Sequence, residues 1–567
     1  MVLALLLIAA LSFGSFRSRS ITIDEVVDIP SGLSYWQKQD TRLNVEHPPL
    51  LKMIAAVPLL FAHVKVDYND PSWCAGGSAD CEWEFGKKLV EKWNANPQHL
   101  LILARIPMLG ITLLLGWTIY AMARRLAGRW GGALSLVLFA TSPFYLGLGP
   151  LVVTDIGLPL FVLAAVWRFS SLWSHPNGRN TVWFALSLAC ALLSKFSALM
   201  LFPTFFLLWL YFRVSSWKPG TRDQEPTSAR RAHGFATLLK SFVAEWYAIL
   251  GIALAGALVY LFYLLTCWHS DSIYIFSARA HTFGSSKAGV ITGRISLFLP
   301  KHPLLAKLLS PLWLYLSGIL DVYFRIDRRT YVLGKWHQHG VWYYFPVVSF
   351  FKLAPGMIFC IAFLVVLLGL YILRRCSART PLVPQQYRRH LEALIVALIV
   401  FAASAISSTL NIGIRHFSVP ITFLVLLCAL VVPLMKAVLP PGVPRTLGAL
   451  AASGMAVSSL ATALLAYPHY IPYYNFFRLG TPKQEIANNS NLYWGQSLID
   501  LERFRQEHHI SKIYVDSRTF RPDPAAYVSG ASEWECGEPD PPAPEWAAVN
   551  ATFLLRDAPT CAGLLRY

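Results

Sequence analysis

The chain alternates long apolar runs with shorter polar and basic connections. Runs of about 18 or more apolar residues are typical of membrane-spanning helices, and such runs cover residues 99–122, 130–149, 155–173, 242–266, 345–373, 392–410, 417–438 and 446–466. The run 181–212 is interrupted by Ser194-Lys195 and is long enough for two short spans. Residues 2–13 are too few to span alone and lack the basic start of a signal peptide, so we expect an incomplete first transmembrane helix. The pattern predicts about eleven spans.

The composition also indicates a membrane protein. The 567 residues are 55% hydrophobic and 14% charged, with a mean hydropathy of +0.47, whereas soluble domains carry roughly 25% charged residues. We predict an all-α polytopic membrane protein, with a multi-spanning domain over residues 1–466 and a small external domain over residues 467–567. The tail contains one strand-like run, residues 512–515.

Basic residues in the short connections predict the orientation. They are concentrated around residues 124–129, 213–240 and 374–391, which the positive-inside rule assigns to the cytoplasm. The loops 17–97 and 267–344 and the tail are then external, on the extracellular or periplasmic side. Within the second loop, residues 310–324 show helical apolar spacing but are short for a span, so we expect an interfacial or re-entrant helix.

The net charge of +18 does not indicate nucleic-acid binding, because no soluble domain offers a concentrated basic face. External basic residues fit a membrane-lipid phosphate better. Two cysteine pairs, Cys74 with Cys81 and Cys536 with Cys561, lie in predicted external segments. Such segments are compatible with disulfides, although coincidental spacing is the alternative.

Three acidic residues stand at two places where the apolar runs meet the external side. Asp24 and Glu25 begin the first external loop, and Asp155 follows Thr154 at the start of an apolar run. A carboxylate there can take a proton from an acceptor hydroxyl or hold a divalent cation. Both positions also suit ordinary helix N-termini, where acidic and hydroxyl side chains cap and favour the helix dipole.

Candidate phosphate-binding residues lie on the same predicted side. Glu46 and His47 precede Pro48-Pro49, a rigid corner that presents both side chains in a fixed direction; a plain loop-to-helix junction is the alternative. Basic and imidazole groups at the ends of apolar runs complete the set: Lys195, Lys352, Arg415 and His416. Lysine can extend to the interface, whereas arginine is suited to bidentate phosphate recognition. Together these residues suggest a lipid-phosphate substrate beside carboxylates.

The motifs resemble a known group, the polytopic glycosyltransferases of the GT-C fold in the family 39 type, which includes protein O-mannosyltransferases and the aminoarabinose transferase of lipid A. The matching segments are Asp24-Glu25, EHPPLLK (46–52), VVTDIGL (152–158), LLSKFSAL (192–199), YYFPVVSFFK (343–352), GIRHFSVP (413–420) and NNSNLYWGQSL (488–498). In the last segment Asn489 and Tyr493 replace the family's usual acids, so no catalytic role is assigned there.

The resemblance implies that a sugar moves from a polyprenyl- or dolichyl-phosphate donor, with inversion, to a protein, lipid or glycan acceptor on the external face. Asp24 then corresponds to the proposed general base or metal-associated carboxylate, with Glu25 beside it, and Asp155 to the second acid. Lys195, Lys352 and Arg415 correspond to positions near the donor phosphate, and His47 is similarly placed. Glu46 and His416 are further candidate substrate-binding residues. Metal dependence is left open, with Asp24 and Asp155 as the ligands of any divalent ion.

Two other classes share the topology. A lipid-linked oligosaccharide polymerase or ligase differs in its donor, and a secondary transporter should show internal repeats and polar groups near the membrane midplane. The unusual polar residues gather instead near one face and in large external loops, which counts against a transporter. The resemblance implies an integral protein of the bacterial inner or plasma membrane.

Overall fold

A computed structural model describes residues 1–44, 46–73, 81–216, 227–270, 301–325, 329–374, 381–516, 522–535 and 546–550, together with Arg294 and Phe298. The helices are α1 (Val2–Phe16), α2 (Ile23–Gln37), α3 (Leu50–Ala56), α4 (Cys81–Lys87), α5 (Pro97–Ala140), α6 (Pro143–Leu148), α7 (Thr154–Ser174), α8 (Gly178–Leu192), α9 (Leu201–Ser216), α10 (Thr227–Thr266), α11 (Pro303–Arg325), α12 (Tyr344–Lys352), α13 (Pro355–Leu373), α14 (Arg388–Ser407), α15 (Ser418–Leu427), α16 (Val431–Val438), α17 (Val443–Ala466), α18 (Lys483–Ile486) and α19 (Leu498–Glu507). The strands are β1 (Thr330–Val332), β2 (Lys335–His337), β3 (Ile513–Asp516), β4 (Ala531–Trp534) and β5 (Trp546–Ala548).

The all-α, multi-spanning architecture is confirmed. Within the described ranges, nine helices are long and apolar enough to cross a membrane, fewer than the eleven or so expected. The runs 99–122 and 130–149 account for one difference, because α5 is one of these nine helices but contains the first run and the start of the second. Non-helical dihedral angles at Gly128 (φ 76°) divide α5 into two helices. The two parts pack against each other, since a Cβ added at Gly116 would lie 2.9 Å from Phe139 Cε1, so the two runs form two helical segments, as predicted. In addition, α1 and α8 have only 15 residues each.

One expectation about the second external loop differs from the structure. The segment expected to be interfacial or re-entrant belongs to α11, a helix of 23 residues. Its part Pro303–Leu320 qualifies as a span by length and composition. The helix begins at Pro303, upstream of the apolar run at residues 310–324, and is therefore longer than that run alone predicts.

Two spans form the centre of the bundle. In α7 and in Ile414–Val438, 78% of the most apolar window is buried within the protein, against 44% or less for the other candidate spans. α7 packs against α5, α8, α10, α14 and α15. Polar residues at the ends of these two central helices are therefore enclosed by protein.

The tail contains a small parallel sheet, in which β3 lies between β4 and β5. This confirms the strand predicted at residues 512–515. Residues ahead of the sheet contact the beginning of α2, where Ile23 N donates to Trp494 O at 2.9 Å and Ser20 Oγ donates to Gly495 O at 2.7 Å. The tail therefore holds the N-terminal end of α2. The domain boundary after residue 466 stays a prediction.

The states of the cysteines agree in part with those predicted from the sequence. Cys81 is disulfide-bonded, as expected for the first external loop, whereas Cys74, Cys536 and Cys561 lie outside the described residues. Cys190, Cys267, Cys360 and Cys428 are free thiols.

Helices α2 and α3 approach each other closely at Gly32. A Cβ atom added there would lie 2.1 Å from the Lys52 carbonyl oxygen and 2.5 Å from its carbon, and a backbone cannot rotate away as a side chain can. We expect Gly32→Ala to lower the free energy of unfolding by about 1–3 kcal/mol, measured as a lower Tm of the detergent-solubilised protein. The control is Gly454→Ala, whose added Cβ meets no atom within 4 Å. Equal Tm values for the two variants would contradict the close approach.

Candidate active site

Asp24 lies in the first turn of α2 and faces the centre of the bundle. Thr22 caps this helix in a capping box with Glu25, so the local sequence fixes the direction of the first turn. The Arg415 guanidinium donates from Nη1 to Asp24 Oδ2 at 2.5 Å. The Asp24 side chain is 26% exposed and is thus the accessible carboxylate of the site.

Asp155 lies in the first turn of the central helix α7, and its side chain is only 2% exposed. Lys195 Nζ donates to Asp155 Oδ1 at 2.5 Å, and Arg415 Nη1 lies 3.3 Å from Asp155 Oδ2. Arg415 therefore bridges the two carboxylates through one nitrogen. The structure brings together four of the predicted residues, Asp24, Asp155, Lys195 and Arg415, which we call the acid–base cluster.

Arg415 is held from a second direction by the tail. It lies in a 3₁₀ turn, Ile414–Phe417, that leads into α15, and its Cζ lies 3.9 Å from the centroid of the Trp494 ring. Asn491 Oδ1 accepts from Ile414 N at 3.0 Å. The cation–π contact and this hydrogen bond fix the guanidinium between the tail and the carboxylates.

Two imidazoles border the acid–base cluster. Among the described residues, His47 Nδ1 and His416 Nε2 are buried atoms without a hydrogen-bond partner, a rare state for buried polar atoms. Burial, together with the charges of Lys195 and Lys52, holds the pKa of His47 well below its usual range. His416 interacts electrostatically with Asp155 and Lys195. Each ring thus has a nitrogen that a ligand could engage.

Glu25 has a different environment from its neighbour. Its carboxylate accepts from Thr22 N, Thr22 Oγ1 and Val152 N and pairs with Arg105, and both members of the pair are 0% exposed. All the N–H groups of Arg105 are used, on Glu25 and on the carbonyls of Phe16, Arg19 and Ser20. Burial acts to raise the pKa of Glu25, but Arg105 outweighs it and the pKa is lowered. Glu25 joins α2, α5 and the segment before α7.

A second polar group lies one turn further along α2. Lys52 Nζ donates to Asn44 Oδ1 at 2.5 Å and to His47 O at 3.2 Å, and it lies 3.4 Å from Asp28 Oδ1. Burial raises the pKa of Asp28 to about 7 despite Lys52, and the charges of Asp24 and Glu46 act in the same direction. Because Asp28 is then partly neutral near pH 7, Lys52 keeps an incompletely balanced positive charge beside His47.

Lys352 is held away from the carboxylates by backbone contacts. Its Nζ donates to Ile471 O at 2.8 Å and to Asn491 O at 2.5 Å, and it lies 4.5 Å from the centroid of the Tyr474 ring. Since Asn491 also binds Ile414 N, Lys352 supports the turn that carries Arg415. The phosphate-binding role stays a prediction.

The acid–base cluster does not have the form of a metal site. No group of three His, Cys, Asp or Glu side chains suitable for a metal occurs in the described part of the chain. The carboxylates of Asp24 and Asp155 are already engaged by Arg415 and Lys195, so a divalent ion would have to displace them. Metal binding by Asp24 and Asp155 stays a prediction.

Sequence reasoning overlooked three residues of this region: Arg105, Asp28 and Trp494. Arg105 gave a usable signal, because it interrupts the apolar run 99–122, and charged groups at membrane depth are costly and usually paired. Asp28 gave none, since its role depends on a neighbouring helix. Trp494 lies in the matching segment 488–498, but its contact with Arg415 joins distant parts of the chain and could not be predicted.

The central part of the chain matches a described protein family. Residues 101–220 match the family of dolichyl-phosphate-mannose-protein mannosyltransferases, a segment that includes Arg105, Asp155 and Lys195. No curated protein matches the chain significantly in sequence.

Several solved structures are similar at low identity. The oligosaccharyltransferase of Archaeoglobus fulgidus in complex with Zn and sulfate is 12% identical, with a TM-score of 0.42, over 89% of this chain and 55% of that one. The oligosaccharyltransferase AglB of the same organism, in complex with an inhibitory peptide and a dolichol-phosphate, is 11% identical, with a TM-score of 0.45, over 85% and 58%. ArnT from Cupriavidus metallidurans bound to undecaprenyl phosphate is 13% identical, with a TM-score of 0.30, over 94% and 85%.

The chain thus spans little more than half the length of the two oligosaccharyltransferases. The match over residues 101–220 confirms the resemblance that the motifs predicted: this part of the chain is similar to the dolichyl-phosphate-mannose-protein mannosyltransferases.

Proposed function

We propose that this protein is an integral membrane glycosyltransferase that moves a sugar from a polyprenyl-phosphate carrier to an acceptor on the external face of the membrane. The observation that carries the proposal is the acid–base cluster, in which one accessible carboxylate, one buried carboxylate and two cations meet at the ends of the two central helices. The family match and the names of the similar structures support a lipid-phosphate donor.

The charges around the cluster suit a phosphate. Asp24 and Asp155 balance Arg415 and Lys195, and Lys52 adds positive charge that a partly neutral Asp28 does not cancel. The unpartnered nitrogens of His47 and His416 supply further hydrogen-bonding positions. An incoming phosphate monoester would complete these contacts, and Arg415 could pass from the carboxylates to the phosphate oxygens.

The reaction would be a single displacement at the anomeric carbon. The acceptor oxygen forms a bond to that carbon while the bond from the carbon to the phosphate oxygen breaks, which inverts the configuration. Asp24 takes the acceptor proton, because its carboxylate is the more exposed of the two acids. Arg415 and Lys195 stabilise the charge on the departing lipid phosphate. Asp155 keeps both cations in position.

The proposal is tested with purified protein in liposomes that contain a labelled polyprenyl-phospho-sugar. We expect the wild-type protein to transfer the label to the acceptor and to release polyprenyl phosphate. Transfer by Arg415→Met should be at least a hundredfold slower, because the charge that develops on the leaving phosphate loses its main partner. Arg478→Met is the matched control, since Arg478 lies on a surface turn and donates to Thr481 O.

Two results would contradict this function. One is transfer from a pyrophosphate-linked oligosaccharide but from no monophosphate-linked sugar, which would indicate a polymerase or ligase. The other is an equal rate for Arg415→Met and Arg478→Met.

A further inference from the structure

A cavity lies at the end of the bundle opposite the acid–base cluster. Its volume is about 1010 Å³, and it is lined by the ends of α7 and α9, by residues Gln385 and Gln386, and by the first turns of α14. Asp155 lies in the first turn of α7 and Ser174 is its last residue. The 19 helical rises from one to the other separate the two sites by about 28 Å. We call this space the arginine cavity.

The arginine cavity is basic. Arg388 and Arg389 both belong to the first turn of α14, which contains no acidic residue. The N-terminus of a helix carries a partial positive charge, which the two arginine side chains repel. An anion bound there would relieve this repulsion.

Internal partners compensate this charge only in part. Among the described lining residues the one acid is Glu392, which accepts from Arg388 Nε at 2.9 Å. The guanidinium of Arg389 lies 5.7 Å from the centroid of the Phe212 ring and has no ion-pair partner in the described part of the chain. More positive charge lies near this end, where Arg125 and Arg179 act on Arg168.

One wall of the arginine cavity is continuous with an exposed apolar face of a candidate membrane span. Leu207, Leu210, Tyr211 and Val214 are exposed to between 41% and 61%, and their spacing puts them on one face of α9. They belong to the candidate span Phe196–Ser215, and Tyr211 and Val214 also line the cavity. A ligand that fits both features has a phosphate at one end and hydrocarbon at the other.

We propose that the arginine cavity binds one anionic phospholipid, whose phosphate contacts Arg388 and Arg389 and whose acyl chain lies along the exposed apolar face of α9. The lipid comes from the leaflet on the side of the basic loops, where anionic headgroups attract such clusters. This site is separate from the donor site, and the proposal does not depend on the proposed reaction.

The test is native mass spectrometry of the full-length protein with phosphatidylglycerol or phosphatidylcholine added in detergent. We expect the wild type to retain phosphatidylglycerol about tenfold better than phosphatidylcholine, and the double variant Arg388→Gln/Arg389→Gln to lose this preference, because two charge-assisted contacts are removed. The control is Arg213→Gln, at the same end of the bundle, where Arg213 pairs with Glu245; it should keep the preference.

A second variant tests the lipid chain independently. Val214 is the next-to-last residue of the candidate span Phe196–Ser215, where a charged side chain can reach the aqueous interface, so folding should be preserved. The charge should repel the acyl chain and weaken phosphatidylglycerol binding. The proposal is overturned if the wild type shows no preference, if the double variant keeps it, or if Val214→Glu binds as the wild type does. It is also overturned if glycerol phosphate displaces the lipid as well as phosphatidylglycerol does, because the cavity would then be a small-anion site.

Discussion

Replacing Asp24 with asparagine is expected to slow sugar transfer by about two to four orders of magnitude, the usual contribution of a general base. The amide has nearly the same shape as the carboxylate but cannot take the acceptor proton. Asp24 is the carboxylate to test first, because it is 26% exposed whereas Asp155 is 2% exposed. The rate is measured with saturating donor and acceptor in liposomes.

The same substitution should affect donor binding in the opposite direction. Arg415 donates to Asp24 at 2.5 Å, and the loss of that negative charge leaves the guanidinium freer to hold the donor phosphate. We therefore expect the KM for the donor to stay equal or fall while kcat collapses. A purely structural role for Asp24 would not produce this separation, since a misplaced Arg415 would raise the KM.

The matched control for Asp24 is Asp67→Asn, an acid in the first external loop whose carboxylate accepts from Asn69 N. Its kinetics should equal those of the wild type. If Asp24→Asn keeps full kcat, Asp24 is not the general base, and Asp155 would have to be reconsidered for that role.

Much of the fold and part of the site could be predicted from the sequence, since apolar runs and the charged residues at their ends are both visible in it. Spans are long apolar runs, and Asp155, Lys195 and Arg415 stand out because charged groups at the ends of such runs are costly unless they are partnered. The structure brings these three together with Asp24. Asp24 could be identified as a candidate because it lies between the first apolar run and a polar loop.

Other features could not be predicted, because they depend on contacts between distant parts of the chain. Gly128 divides α5 into two helices with almost no loop between them, and nothing in the hydropathy pattern predicts so short a connection. Lys352 resembled a phosphate ligand, but its partners are the carbonyls of Ile471 and Asn491, which the sequence does not connect with it. Glu25 and Asp24 are adjacent in sequence, yet their environments differ because helix geometry points them in different directions.

Breaking the pair formed by Glu25 and Arg105 should strongly destabilise the protein. Both side chains are 0% exposed, so removing one partner leaves an uncompensated buried charge, a loss of about 3–5 kcal/mol. We expect Glu25→Gln and Arg105→Met each to lower the Tm of the detergent-solubilised protein strongly. Arg213→Met, which removes the half-exposed pair with Glu245, should cost about 1 kcal/mol or less.

A double-mutant cycle separates this structural role from a catalytic role for Glu25. Glu25→Gln/Arg105→Met should be more stable than the sum of the two single losses predicts, because neither charge then remains unpaired. Transfer per folded Glu25→Gln molecule should stay within about tenfold of the wild type, since the Glu25 carboxylate is fully occupied by Thr22, Val152 and Arg105 and general-base losses are larger. A variant with the Tm of the wild type but no activity would instead make Glu25 a catalytic residue.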